Sequence, residues 1–189
     1  MSAPEGPESI RVGIIMGSDS DLPTMQYTAR ALRALGLKQA VDYEERVISA
    51  HRTPDLMRDY AESAEDRGLE VIIAGAGGSA HLQGMTGSET IIPVLGVAIT
   101  KNPDVMNRAL GSCIGMPEGK PLAVFQGEAG AFNAGLFAGR IMARHDSALR
   151  QRYLDYNQEL RAVSLDKDEK LHEFGSEEYL RQKSTAGGA

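Results

Sequence analysis

What most constrains this chain is the alternation of short apolar runs with segments of helical period. Compact apolar runs lie at residues 11–16, about 41–48, 70–74, 91–97 and about 121–126, and each reads as a β-strand. After the first run, Met25, Ala29, Leu32 and Leu35 recur at helical spacing and Gly36 supplies a stop. After the second, Thr53 is placed as an N-cap with Pro54 in the first helical position. Met57, Tyr60, Ala61 and Ala64 then make one stripe that ends at Gly68. A small-residue helix from 129 to about 145 follows the fifth run. Strands separated by helices of about ten or more residues require right-handed crossovers, hence a parallel sheet covered on both faces. The spacing therefore predicts a three-layer α/β/α fold, and the nearly continuous apolar character of the strands agrees with burial on both sides.

With 189 residues, 42% of them hydrophobic, the chain can bury one substantial core, and no composition break argues for a second domain. The expected division is a flexible N-terminus at 1–8, a catalytic α/β domain at 9–163 and a C-terminal helical extension and tail at 164–189. Across the boundary between the last two, a helix from Ser147 to about Leu171 is expected, with fraying from Ser184 onward. The net charge of −6 comes from 26 acidic and 20 basic residues with no long basic run, so nucleic acid is not an expected partner. Cys113 is the single cysteine, which excludes an intrachain disulfide or cysteine metal cluster and reads as a small buried hydrophobe. No apolar run approaches the ~20 residues of a membrane span, and residues 1–8 lack the pattern of a signal peptide. A cytoplasmic protein is expected.

The chemistry is concentrated at the strand exits. Ser-Ala-His occurs twice, at Ser49-Ala50-His51 and Ser79-Ala80-His81, so two of the four histidines follow strands. In an open parallel sheet these exits share one edge, where ligands bind. The first exit, Gly17-Ser18-Asp19-Ser20-Asp21, offers hydroxyls and a helix start suited to phosphate. Its two carboxylates would repel a dianion, so at least one should cap the helix or accept hydrogen bonds from sugar hydroxyls. In the second, Arg52 beside His51 has the forked geometry for phosphate. The third, Gly75-Ala76-Gly77-Gly78-Ser79-Ala80-His81-Leu82, lets a ligand lie on the backbone. Histidine, with a reference pKa of about 6.5, suits proton transfer near neutrality. Metal ligation is the rival use, but two histidines without an acidic or cysteine partner at ligand spacing argue against it. Tight turns and helix capping are the structural alternative for each loop, and His145 and His172 read as surface residues.

These three strings, in this order and spacing, resemble the N5-carboxyaminoimidazole ribonucleotide mutases of purine biosynthesis, over roughly residues 10–160. The resemblance implies a flavodoxin-like domain in a homo-octamer, with sites at subunit boundaries and neither metal nor organic cofactor. It implies transfer of a carboxylate from the exocyclic nitrogen of an imidazole ribonucleotide to ring carbon 4, through carbon dioxide released and recaptured in a closed site. By motif position, His51 is the catalytic histidine, and Ser18, Asp21 and Arg52 are substrate contacts. Ser20, Ser49, Ala76, Gly77 and Leu82 complete the expected binding set, and His81 orients or polarises the migrating carboxylate.

Related carboxylases that use free carbon dioxide resemble Ser-Ala-His-Lys at the second exit and Ala-Gly-Arg-Ser-Asn at the third. Arg52 and Gly77-Gly78-Ser79-Ala80-His81 side with the mutases. The chain departs from the usual pattern at Ala98, in Gly115-Met116-Pro117-Glu118-Gly119-Lys120-Pro121, where the family has a loop closing a neighbour's site, and in the bulkier Phe125 to Asn133 stretch. The alternatives are a carboxylase, a paralogue acting on a related ribonucleotide and a non-catalytic nucleotide-binding module.

Overall fold

The computed structural model describes residues 10–99 and 103–186. The expected flexible N-terminus, residues 1–8, lies outside them. Five strands, β1 (Val12–Met16), β2 (Tyr43–Val47), β3 (Val71–Gly77), β4 (Val94–Ile99) and β5 (Ala123–Gln126), alternate with helices α1 (Leu22–Ala34), α2 (Pro54–Glu62), α3 (Leu82–Ser88), α4 (Pro103–Ile114) and α5 (Gly127–Met142), and α6 (Ser147–Ala186) follows. All strand pairs are parallel, in the order β2-β1-β3-β4-β5. This is the flavodoxin-like order, and its switch point lies between β1 and β3.

Because side chains alternate across a strand, the sheet separates two cores. Val12, Ile14 and Met16 of β1, with Val71 and Ile73 of β3, pack under α1, α5 and the start of α6 through Met25, Leu32, Leu35, Ala134, Ala138, Met142 and Leu149. Ile15, Ile72, Ala74 and Ala98 face the other way, against α2, α3 and α4 through Met57, Tyr60, Leu82, Ala109 and Cys113. Cys113 is 1% exposed, as its reading as a buried hydrophobe anticipates. The edge strand β2 carries Glu44, Glu45 and Arg46. Tyr60 donates to Glu44 Oε1 at 2.9 Å and Arg67 pairs with the same oxygen at 2.7 Å. Burial and the adjacent Glu44 carboxylate push the Tyr60 phenol well above its ordinary range.

Several local expectations are corrected. The fourth strand begins at Val94, not Ile91, because Pro93 cannot donate to a central ladder, and it runs on to Ile99. The fifth starts at Ala123 rather than Pro121, and the second is confined to Tyr43–Val47. Gly75, Ala76 and Gly77, read as loop, are the last three residues of β3 and pair with Val97, Ala98 and Ile99. The crossover helices α2 and α3 have 9 and 7 residues, shorter than the expected ten, while α4 was not anticipated. Helix α6 passes through 163 without interruption and continues past 171 to Ala186, with a non-helical residue at Gly175 (φ 70).

Candidate active site

Loops after β1, β2 and β3 meet at the switch point. Gly17 continues the sheet by donating to Gly75 O at 3.1 Å. A 3-10 turn, Asp19–Asp21, follows, capped by Ser18, whose Oγ accepts from Ser20 N at 3.3 Å and donates to Asp19 Oδ1 at 3.0 Å. Asp21 occupies the cap position of α1 but makes no side-chain cap bond. It is one of the few buried acidic side chains, 8% exposed. The Ser18 hydroxyl caps the 3-10 turn, and α1 itself starts without a side-chain cap.

In the second loop, Thr53 precedes Pro54 at the start of α2 as expected, but its hydroxyl does not cap the helix. It turns back to Ser49, accepting from Ser49 N and donating to Ser49 O, both at 3.1 Å. That closed turn presents Arg52 toward the first loop. Arg52 Nη2 donates to Gly17 O at 2.9 Å and Nε to Ser49 Oγ at 3.4 Å, which fixes the guanidinium between the two loops. Beside the Ser18 and Ser20 hydroxyls, its remaining N–H groups make an end of the crevice suited to an anion.

The third loop turns at Gly78, whose φ of +63° is left-handed backbone that an L side chain adopts at a cost. Ala80 is buried, and His81 stands at the cap position of α3. His51 and His81 each lie four residues beyond the end of their strands, β2 and β3. Their side chains meet: His51 Nε2 and His81 Nδ1 are 2.9 Å apart, with the rings edge to face at 80°. One of these nitrogens must carry the hydrogen and the other the lone pair, so the contact survives with one shared proton and not with two. His51 Nδ1 and His81 Nε2 are the outer nitrogens of a four-nitrogen chain. That is an arrangement for giving and retaking a proton.

The crevice has a volume of about 550 Å³, and every expected site residue lines it: His51, His81, Ser18, Ser20, Asp21, Ser49, Arg52, Ala76, Gly77 and Leu82. Its wall also includes Ile99, which the sequence reading missed because it ended the fourth strand at Val97. Gly17, Ala50, Gly78, Ser79 and Ala80 complete the lining, all within the strings already singled out. His145 and His172 lie elsewhere. His145 is exposed, as expected of a surface residue, and its Nε2 hydrogen-bonds Glu70, which also pairs with Arg11. Among the described residues no three His, Cys, Asp or Glu side chains cluster as a metal site requires. No described helix is long and apolar enough to cross a membrane.

Comparison with known proteins agrees with this geometry. The chain is 44% identical over 173 residues to an N5-carboxyaminoimidazole ribonucleotide mutase of Thermotoga maritima, covering 92% of this chain and 98% of that one. The Escherichia coli protein of the same name is 47% identical over 147 residues, covering 77% and 85%. Among solved structures, Treponema denticola PurE superposes with a TM-score of 0.74 at 25% identity, over 85% of this chain and 97% of that one. The profile of the family described as AIR carboxylase matches residues 11–162, which takes in all five strands and the whole crevice, and the chain belongs to that family.

Proposed function

We propose that this chain is an N5-carboxyaminoimidazole ribonucleotide mutase of de novo purine biosynthesis, an isomerase that moves a carboxylate from the exocyclic nitrogen to ring carbon 4. The observation that carries the reading is the His51–His81 pair, set between the anion-suited end formed by Ser18 and Arg52 and the backbone floor of Ala76 and Gly77. A ribonucleotide fits that layout. Its phosphate takes the Arg52 end, its sugar hydroxyls suit Asp21, and its flat base lies on the small-residue strand end.

The chemistry balances without a cofactor. His51 gives a proton to the exocyclic nitrogen as the nitrogen–carboxylate bond breaks and carbon dioxide is released. Ring carbon 4 then attacks the carbon dioxide, leaving that carbon with both a hydrogen and a new carboxylate. His51 takes back the proton, which restores the aromatic ring. The contact with His81 holds the imidazole at the tautomer and angle needed for both transfers, and His81 Nε2 is left to orient the migrating carboxylate. Arg52 in place of lysine, and the Gly77 to His81 string, favour the mutase over a carboxylase using free carbon dioxide.

Trapping carbon dioxide requires a covered site, yet His51, Arg52 and His81 are exposed in one chain. We place a neighbouring copy over this mouth, within a homo-octamer in the cytoplasm. In support, residues 115–123 leave the crevice of their own chain uncovered, Met116 and Pro117 bordering only the adjoining groove on the far side of His81. Ile91, Leu160, Val163 and Leu165 are large apolar side chains left exposed, as surfaces awaiting a partner are. The divided role of catalytic domain and C-terminal extension belongs to the same proposal.

The test is to supply purified protein with carboxyaminoimidazole ribonucleotide or, separately, with aminoimidazole ribonucleotide plus bicarbonate, and to follow the carbon-carboxylated product. Conversion of the first alone is expected. Conversion of the second alone would make the chain a carboxylase, and binding without conversion would make it a nucleotide-binding module.

A further inference from the structure

Helix α3, which carries His81, is poorly equipped to hold its own position. It has seven residues, two of them the weak helix formers Gly84 and Gly87, and no side chain caps its start. What fixes it is burial of Leu82, Gln83 and Thr86. Gln83 is unusual among these, because a fully buried glutamine needs partners for both ends of its amide. Its Nε2 lies 2.9 Å from Val97 O and 3.5 Å from Ala76 O, so one side chain reaches a carbonyl of each central strand, β4 and β3. The opposite amide orientation would set oxygen against two carbonyl oxygens. Gly96 makes room for this strap: a Cβ there would come within 3.2 Å of the Gln83 Cβ and Cγ.

Gln83 Oε1 has no hydrogen-bond partner among the described residues. A half-satisfied buried amide is a poorer core residue than an apolar side chain of the same length. Packing alone therefore does not account for a glutamine here, whereas its placement does. Ala76, one of the two residues it grips, is the floor of the crevice, and His81, two positions before it, is half of the proton-carrying pair.

We propose that Gln83 is a positioning residue for the reaction: by strapping the start of α3 to β3 and β4, it holds His81 at hydrogen-bond distance from His51. The inference rests on the mutase reading for its kinetic consequence, but not for its structural one. On this reading the phosphate is held by Ser18 and Arg52 in the other two loops and the third supplies only the small-residue floor, so a loosened strap acts on turnover more than on affinity.

The experiment compares wild type, Gln83→Met and Thr86→Val. Thr86 is equally buried on the same helix, and its hydroxyl is likewise unpartnered among the described residues, so it controls for packing. Turnover of carboxyaminoimidazole ribonucleotide is measured together with nitrogen-15 spectra of labelled histidine, which separate hydrogen-bearing from lone-pair ring nitrogens. Gln83→Met is expected to lower kcat about 10- to 100-fold, the scale of a misplaced catalytic group, while KM stays within about twofold. The distinct donor and acceptor signals of the His51–His81 contact should merge. Thr86→Val is expected to match wild type in both measurements. Unchanged kcat and spectra in Gln83→Met, or equal losses in both variants, would overturn the proposal. If Gln83→Met does not fold, Gln83→Asn keeps an amide with too short a reach and should lose kcat in the same direction; full kcat there overturns the strap. Wild type that converts nothing, yet whose histidine signals change in Gln83→Met, would refute the mutase reading and leave the positioning role intact.

Discussion

Gly75 offers the sharpest test of how the fold and the site are joined. It lies in β3 beside Met16 and Val97, and a Cβ added there would come within 2.2 Å of Met25 Sδ and 2.9 Å of Met25 Cγ and Cε. Met25 is fully buried in α1, four residues after Asp21, so its side chain must shift within the core to make room. Two effects compete in Gly75→Ala. Removing a strand glycine favours the folded state by about 0.5–1 kcal/mol. Overpacking a filled core costs about 1–3 kcal/mol, and the 2.2 Å overlap with a fully buried sulfur puts the cost in the upper half of that range. The net expectation is a loss of about 1–2.5 kcal/mol, or a Tm lower by roughly 2–10 °C at this chain length. Any outward shift of α1 that relieves the overlap carries Asp21 with it and raises KM for the ribonucleotide. The assay is thermal and urea unfolding of Gly75→Ala, Met25→Ala and the double variant. Met25→Ala alone opens a cavity costing about 2–5 kcal/mol, which the new methyl partly fills, so the two changes should couple favourably by about 1 kcal/mol or more. A Gly75→Ala protein as stable as wild type, or a double variant additive within about 0.5 kcal/mol, would refute the reasoning.

Three further outcomes follow from the same structure. His51→Asn should reduce kcat by about 10²–10⁴, the scale of general acid–base catalysis, with ribonucleotide Kd little changed because Ser18 and Arg52 remain; calorimetry beside turnover checks this, and full activity would end the proton-transfer role. Cys113, 1% exposed and with its thiol pushed up to about 11 by burial, should resist iodoacetamide at pH 8 in the native protein and react once urea unfolds it; rapid native labelling would contradict the burial of this face of α4 in the core. For Asp146, burial works to raise the carboxyl pKa, but the Leu149 N–H at 2.8 Å and the Arg11 guanidinium at 2.7 Å outweigh it and hold the group below its ordinary value. A lowered folded-state pKa contributes stability that is complete above the unfolded value of about 3.9 and is lost as pH falls below it. Asp146→Asn should therefore be less stable than wild type at pH 7, with the difference shrinking toward pH 2–3; a difference independent of pH would rule this out.

The strand exits were legible because their signals are local: a glycine or Ser-Ala-His string following an apolar run marks a βα turn whatever surrounds it. Boundaries failed where distant contacts decided them. Gly75 to Gly77 look like a loop, having three small residues in a row, but β4 continues alongside them and pairs them into the sheet. Thr53 has the residue type of a helix cap, yet a bond to Ser49 engages its hydroxyl first. Gln83 carried no sequence signal at all, because its partners, Val97 and Ala76, belong to strands that the helix merely passes over.

The sequence by itself determined the alternating architecture, the chemical character of each loop and, Ile99 apart, the residues that line the crevice, since these depend on period, composition and short motifs. Only the tertiary structure decided that the two histidines touch. β2 and β3 flank β1, which sets their ends about 10 Å apart, two strand spacings, and equal four-residue offsets bring His51 and His81 to the same height above the sheet. Strand order is a property of the whole chain's crossovers, so the 2.9 Å approach of His51 Nε2 to His81 Nδ1, on which the proposed reaction turns, could be seen only once the sheet was assembled.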